Sequence, residues 1–240
     1  MVGIGPGDLS LLTMQAREAI HKAEVVVGYT KYIEIVQSLL KDKETISTGM
    51  TREIDRANKA VELALEGKKV AVISSGDPGV YGMAGLVLEI TSSRPLSAEV
   101  PVEIIPGITA ANAAAAVLGA PLMHDFAVIS LSDLLTPWEV IEKRLKAAGM
   151  GDFILVLYNP ASKKRRKQVE KARDILLKYR NKETPVGIVR NCFRDDQEIY
   201  LTDLENMLNH NIDMFTIPVI GNSQTYRQEK YLITPRGYRI

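Results

Sequence analysis

The chain has 240 residues, 46% hydrophobic and 25% charged, with 30 Lys plus Arg against 29 Asp plus Glu for a formal net charge of +1. That composition excludes a disordered or collagen-like chain and fits one large domain or two modest ones, while the balanced charge gives no global field for nucleic acid or an anionic membrane. The single cysteine, Cys192, allows no internal disulfide and no multi-cysteine metal or iron–sulfur site, so no metal is expected.

Asp8, Arg17 and Glu18 interrupt the N-terminal segment, which does not read as a secretory signal, and no apolar run reaches the roughly 18 residues that a membrane helix needs. A soluble, cytoplasmic protein is the expectation. Only Met1 and Val2 precede the loop Gly3-Ile4-Gly5-Pro6-Gly7-Asp8, which leads to a helix starting near Thr13. Glycines in such a loop let backbone approach a ligand closely. A dinucleotide-binding loop would need its third glycine one place later, no Pro6, and an acidic residue after the second strand, where Glu24 instead precedes it.

Val25-Val26-Val27 reads as the next strand. Thr51 to Gly67 is the clearest helix: Thr51 is the expected N-cap, Ile54, Ala57, Val61 and Leu65 face the core, Arg52, Asp55, Arg56 and Lys59 face solvent, and Gly67 ends it. Strands follow at Lys69 to Ser74 and Val102 to Ile105. This βαβ rhythm predicts an α/β first half with a parallel sheet. Two glycine-bearing loops, Ser74 to Gly82 and Pro106-Gly107-Ile108-Thr109-Ala110, leave successive strands, and in parallel sheets the crevice beyond the carboxyl ends is the usual ligand site. The two loops should converge. Asp77 has two readings, a turn residue bonding its own backbone ahead of Pro78 or a functional carboxylate.

An Ala-rich helix, Ala110 to Leu118, runs into Gly119-Ala120-Pro121, the expected boundary between domains of residues 1–119 and 120–240. Strand candidates at Phe126 to Leu131, Phe153 to Tyr158, Pro185 to Val189, Glu198 to Thr202 and Phe215 to Ile220, with helices near Pro137 to Ala148 and Lys164 to Tyr179, predict a mixed sheet, since some connections are too short for a helix. The stretch from His124 to Trp138 is unusually polar for a strand exit. Thr136 and Pro137 are accounted for as N-cap and first helical residue. His124, Ser130, Ser132 and Asp133 are not, and a catalytic role for His124 stands beside the commoner structural role of a lone histidine. Tyr158-Asn159-Pro160-Ala161-Ser162 precedes Lys163-Lys164-Arg165-Arg166-Lys167, positive charges at a helix N-terminus that oppose the macrodipole. They form either a solvated face or the seat of an anionic ligand.

In this order and spacing, the loop Gly3 to Asp8 with Leu11-Leu12-Thr13, the Gly76-Asp77-Pro78 loop and the Pro106 to Thr109 loop resemble the tetrapyrrole methylase family over the whole chain. The phrases Gly49-Met50-Thr51-Arg52-Glu53, Ser74 to Met83, His124 to Trp138, Tyr158 to Ser162 and Thr234 to Tyr238 resemble its cobalamin-biosynthesis branch that methylates carbon 17 of precorrin-3B or cobalt-factor III and contracts the macrocycle. Where the family has several apolar residues before the glycine loop, two stand here, so either strand one is a stub or the start lies upstream. The resemblance implies two α/β domains, the first with a parallel and the second with a mixed sheet, an active-site cleft between them, S-adenosyl-L-methionine as cofactor with S-adenosyl-L-homocysteine as product, a tetrapyrrole substrate, no nucleic-acid or membrane partner, and a homodimer.

It also implies cofactor contacts, many through backbone, at Pro6, Gly76, Asp77, Val80, Thr109, Ala110, Tyr158, Asn159, Asn191 and Thr216. Substrate contacts fall to Gly5, Gly7, Arg52, Ser130, Ser132 and Arg190, with Lys163, Lys164, Arg165 and Arg166 also available to its carboxylates. Ring contraction needs a general base, for which His124 comes first, ahead of Asp133 and Asp8. The competing readings are methylation at another ring carbon, the branch that modifies ribosomal RNA or a translation-factor histidine, and a noncatalytic tetrapyrrole-binding module. Near-neutral charge argues against RNA.

Overall fold

The structure is a computed structural model that describes residues 1–93, 100–162 and 165–239; Lys163 and Lys164 lie outside the described residues. It forms two compact units, Met1–Thr109 and Ala110–Ile240.

The first unit contains β1 (Val2–Gly3), α1 (Met14–Lys22), β2 (Val25–Tyr29), α2 (Thr30–Ile35), β3 (Glu44–Thr48), α3 (Glu53–Leu65), β4 (Val70–Ser74) and α4 (Ala84–Ser92). Its four-stranded sheet has the order β1-β4-β2-β3, and every pairing is parallel. The valine runs place side chains on both faces of a buried sheet: Val26 and Ile73 join Ile4 and Ile20 in one core, while Val25, Val27 and Val72 join Ala57, Val61 and Val87 in the other. Thr13 caps α1 by accepting from the Ala16 N–H at 3.1 Å.

Three expectations change here. The segment Val102 to Ile105 is not a full strand: only Ile105 bridges to Val2, and its N–H and C=O bond Met1 and Gly3 at 2.8 and 3.0 Å. Pro101 and Pro106 flank it and cannot donate to a longer ladder. Thr51 is not an N-cap; it sits at φ +65° with its hydroxyl donating back to the Met50 carbonyl, and Arg52 holds the cap position. The inward face of α3 is also rotated, because Ile54 is 62% exposed while Arg56 is only 3% exposed. Arg56 is drawn inward by donating to Thr48 Oγ1, the Gly49 carbonyl and Met83 Sδ at 2.8, 3.0 and 3.1 Å. Burial lowers the pKa of its guanidinium against the opposing pull of Glu53.

The second unit runs α5 (Ala110–Leu118), β5 (Gly119–Ala120), β6 (Phe126–Ser130), α6 (Trp138–Met150), β7 (Ile154–Tyr158), α7 (Lys167–Leu176), β8 (Pro185–Arg190), β9 (Glu198–Asp203), β10 (Thr216–Ile220), β11 (Tyr226–Gln228) and β12 (Tyr231–Ile233). The main sheet, β6-β7-β10-β8-β9, is mixed: β6 and β7 are parallel, and the other neighbours are antiparallel. Helices α6 and α7 bury Ile141, Leu145, Ile175 and Leu176 against Leu155, Leu157 and Ile188. A small sheet, β11-β12-β5, completes the unit.

Helix α5 belongs to this second unit, so the division falls after Thr109 rather than at the Gly119 turn. The reason is visible at Gly187 of β8, where a Cβ would come within 2.5 Å of Leu118 Cδ1: the missing side chain seats the end of α5 on the sheet. Helix α6 begins one position later than expected, with Pro137 itself at the cap. No described helix is long and apolar enough to cross a membrane.

Candidate functional site

In the first unit three loops meet at backbone level. Gly5 and Gly76 exchange N–H···O bonds of 3.2 and 2.8 Å, each with positive φ, +71° and +65°. A Cβ on Gly107 would lie 2.1 Å from the Gly76 carbonyl oxygen, and one on Gly3 would lie 2.6 Å from the Gly107 nitrogen. Only glycine permits that approach. Asp77 fixes it from the side: Oδ1 accepts from the Gly79 N–H at 2.8 Å and Oδ2 from the Gly107 N–H at 3.1 Å. The carboxylate is therefore both a turn residue and the link between two loops. Val80, next along, donates its N–H to the Asp77 carbonyl at 3.3 Å. Pro6 is buried, while Gly7 and Thr109 are partly exposed.

Asp8, exposed, caps a short helical turn by accepting from the Ser10 N–H at 2.7 Å, and that bond with its companion from the Ser10 hydroxyl lowers its pKa. A carboxylate held low is a poor proton acceptor near neutrality. Arg52 is paired with Asp55 on the surface of α3.

The second unit gathers another group at the ends of the parallel strands β6 and β7. Tyr158 Oη accepts from the Ala111 N–H at 2.9 Å, next to Ala110. Asn159, at φ +51°, donates to Ser130 Oγ at 3.0 Å, and Ser130 Oγ also accepts from the Ser132 N–H at 3.2 Å. Asp133 accepts from Gln168 Nε2 at 2.9 Å and faces Arg165 Nη1 at 3.7 Å. Ser130, Ser132, Tyr158 and Asn159 are thus joined, and Asp133 is anchored to the foot of α7.

His124 stands apart from that group. Its Nδ1 accepts from the Asp125 N–H at 3.0 Å, so a neutral ring carries its proton on Nε2 and presents a donor rather than a base.

A third group lies at the end of β8. The Asn191 N–H donates to the Phe215 carbonyl at 3.0 Å and its side chain donates to Asp196 at 2.6 Å, with Asn191 only 6% exposed. Thr216, fully buried, exchanges bonds with Asp213: its hydroxyl donates to Oδ1 and accepts from the Asp213 N–H, both at 3.0 Å. It holds the turn behind Asn191. Arg190 bonds Asp213 and Glu198, each at 2.9 Å. Asp213 is shifted low: burial would raise its pKa, but the bonds from Arg190, the Phe215 N–H and Thr216 prevail.

Sequence reasoning missed Asp213, Asp196, Gln168 and Arg56. Each acts on a partner brought near by folding or lies where periodicity marks a solvent face, so composition carried no signal for them.

The chain matches the family described as Tetrapyrrole (Corrin/Porphyrin) Methylases over residues 1–208. Over its whole length it is 52% identical to the cobalt-factor III methyltransferase of Priestia megaterium, although it spans only 45% of that longer protein. It is 51% identical, again over its whole length, to the probable cobalt-factor III C(17)-methyltransferase of Salmonella typhimurium, of which it spans 99%. Among solved structures, that of the methyltransferase CobJ is similar with a TM-score of 0.93 at 38% identity, covering 98% of each chain.

Proposed function

The chain belongs to the tetrapyrrole methylase family, and from that premise we propose that it is an S-adenosylmethionine-dependent methyltransferase of cobalamin biosynthesis, acting at carbon 17 of cobalt-factor III or precorrin-3B with contraction of the ring. The observation that carries the reading is the 51% identity over the full chain to the probable cobalt-factor III C(17)-methyltransferase of Salmonella typhimurium, which the chain spans almost end to end.

The residues fit the cofactor that the family uses. Gly3, Gly76 and Gly107 bring three loops together without side chains between them, and both oxygens of Asp77 are already bonded to backbone N–H groups. What remains at the loop rims is peptide groups and small side chains, suited to a folded sulfonium ligand read through neutral hydrogen bonds. We assign to the cofactor Pro6, Gly76, Asp77, Val80, Thr109, Ala110, Tyr158, Asn159 and Asn191, with Thr216 supporting Asn191 from behind. When bound, the cofactor supplies an electrophilic methyl group on sulfur.

The chain's own task is then positioning. Holding two reactants in line at near-attack distance can remove roughly 7–11 kcal/mol of barrier without any covalent help from the protein. We assign Gly5, Gly7, Ser130 and Ser132 to the substrate, together with Arg52, whose exposed partner Asp55 a substrate carboxylate can replace. Arg190, already shared between Asp213 and Glu198, serves better to fix the β8 end than to bind a third carboxylate.

For ring contraction we keep His124 as the general base: Nδ1 takes up the proton when it gives up the bond from the Asp125 N–H, and Nε2–H serves as a hydrogen-bond donor before that. Asp133, tied to Gln168 and Arg165, orients its loop. The reading extends to a cytoplasmic homodimer without nucleic-acid or membrane partners, supported by the resemblance and by the net charge of +1.

The deciding experiment is titration of S-adenosylhomocysteine into the purified protein by calorimetry, followed by turnover of cobalt-factor III with 13C-methyl-labelled S-adenosylmethionine and NMR location of the label. Binding and a label on carbon 17 are expected. A folded protein that binds no S-adenosylhomocysteine, or a label on another carbon, would overturn the assignment.

A further inference from the structure

The loop after β6 carries two successive leucines that the fold does not use: Leu134 is 72% exposed and Leu135 is 99% exposed. Single exposed leucines are ordinary. These two differ because the chain on both sides of them is fastened. Leu131 is fully buried, its N–H donates to the Tyr158 carbonyl at 2.8 Å and its own carbonyl accepts from Arg165 Nη1 at 3.1 Å. Asp133 is held by Gln168 and Arg165. Downstream, Trp138 packs on the core with the Lys171 ammonium 5.1 Å from its ring centre. A free loop tip would be served by Ser, Asn, Asp or Gly; this one is anchored at both ends and presents two isobutyl groups to solvent.

We propose that Leu134 and Leu135 form an apolar plate that packs against the flat face of the tetrapyrrole and sets the affinity for it. The inference rests on the function proposed above. Two neighbouring features favour this occupant. The loop leaves the same strand end that carries Ser130, hydrogen-bonded to Asn159 of the next strand. Beside the Arg165 anchor, the exposed Arg166 and Lys167 add positive charge. An apolar plate next to cations suits a ligand that is apolar across its face and carboxylated at its rim, and neither feature alone would select it.

The test is the double variant Leu134→Ser/Leu135→Ser beside the conservative Leu134→Met/Leu135→Met. Steady-state kinetics with cobalt-factor III, calorimetry with S-adenosylhomocysteine and sedimentation velocity are read for each. We expect the serine variant to raise KM for the tetrapyrrole about tenfold or more, with S-adenosylhomocysteine affinity and oligomeric state unchanged, and the methionine variant to stay within about twofold of wild type. An unchanged KM in the serine variant would overturn the proposal, and so would a loss of self-association, which would assign the leucines to a second copy of the chain. Wild-type protein that binds no S-adenosylhomocysteine would instead count against the proposed function itself, so the two failures are distinct.

Discussion

Asp77 and Gly107, thirty residues apart, are joined by a 3.1 Å hydrogen bond from the Gly107 N–H to Oδ2, while the other oxygen of the same carboxylate closes the turn at Gly79. One side chain thus sets the spacing of two loops to which we assign the cofactor. Asp77→Ala should weaken S-adenosylhomocysteine binding by about tenfold or more, the scale on which losing a charge-assisted bond acts. Asp77→Asn should fall between, since its carbonyl can accept from one of the two N–H groups but its amide nitrogen cannot accept from the other. Calorimetry on the three proteins tests the order; equal affinities would show that the loops hold their places without the link.

Arg56 offers a stability test away from that carboxylate. Its guanidinium satisfies Thr48, the Gly49 carbonyl and Met83 from a position 3% exposed. Arg56→Ala removes these bonds and leaves a cavity, so we expect a loss of about 2–4 kcal/mol in denaturant unfolding. Arg56→Lys should recover only part of it, because one ammonium cannot reach three divergent acceptors.

His124→Ala should leave S-adenosylhomocysteine affinity unchanged and lower formation of the contracted ring by about 100-fold or more, within the range of a general acid or base. NMR of the product macrocycle distinguishes contracted from uncontracted methylated rings. Full contraction by the variant would remove His124 from the chemistry.

The pair Asp213–Arg190 predicts an acid-sensitive contribution. The folded pKa of Asp213 is lowered, so its stabilisation is fully present above the unfolded value near about 3.9 and is lost as pH falls through the lower folded value. Asp213→Asn should therefore cost about 0.5–1 kcal/mol at pH 7, discounted for partial solvent screening, and the gap to wild type should narrow once the pH falls through the lowered folded value. Urea midpoints measured from pH 7 downward would show this; a gap that persists undiminished in acid would mean that the carboxylate charge contributes nothing.

How much of this was legible beforehand follows from how local each signal is. The strands β2, β4 and β7 announce themselves as unbroken runs such as Val25-Val26-Val27 and Ile154 to Leu157, and the helix start near Thr13 is local too, since its hydroxyl accepts from the N–H of Ala16 three residues on. β3 was not anticipated because Glu44-Thr45-Ile46-Ser47-Thr48 is a polar edge strand with no apolar run. The inward turn of Arg56 and the bonding of Asp213 could not be read from periodicity, since both depend on groups supplied by other elements. The loop motifs were visible as glycine and Asp-Pro punctuation. Which of Asp77's two roles prevails required coordinates, and both do.

The two-residue strand β1 has a consequence for how the protein is made. Its neighbours are Ile73 and Ser74 on one side and Ile105 on the other, and the Met1 ammonium donates to the Glu103 carbonyl 102 residues away at 2.7 Å. Such distant pairing makes β1 a late arrival in folding, since the entropy of closing that loop must be overcome before its few bonds return anything. A nascent chain can build β2, β3 and α3 early, but the glycine loop that follows β1 must wait for β4 and the Gly76 loop to bond it, and it meets Gly107 only once the segment around residue 105 has emerged. Of the three loops that meet around Gly76, the one synthesised first thus depends on partners synthesised later.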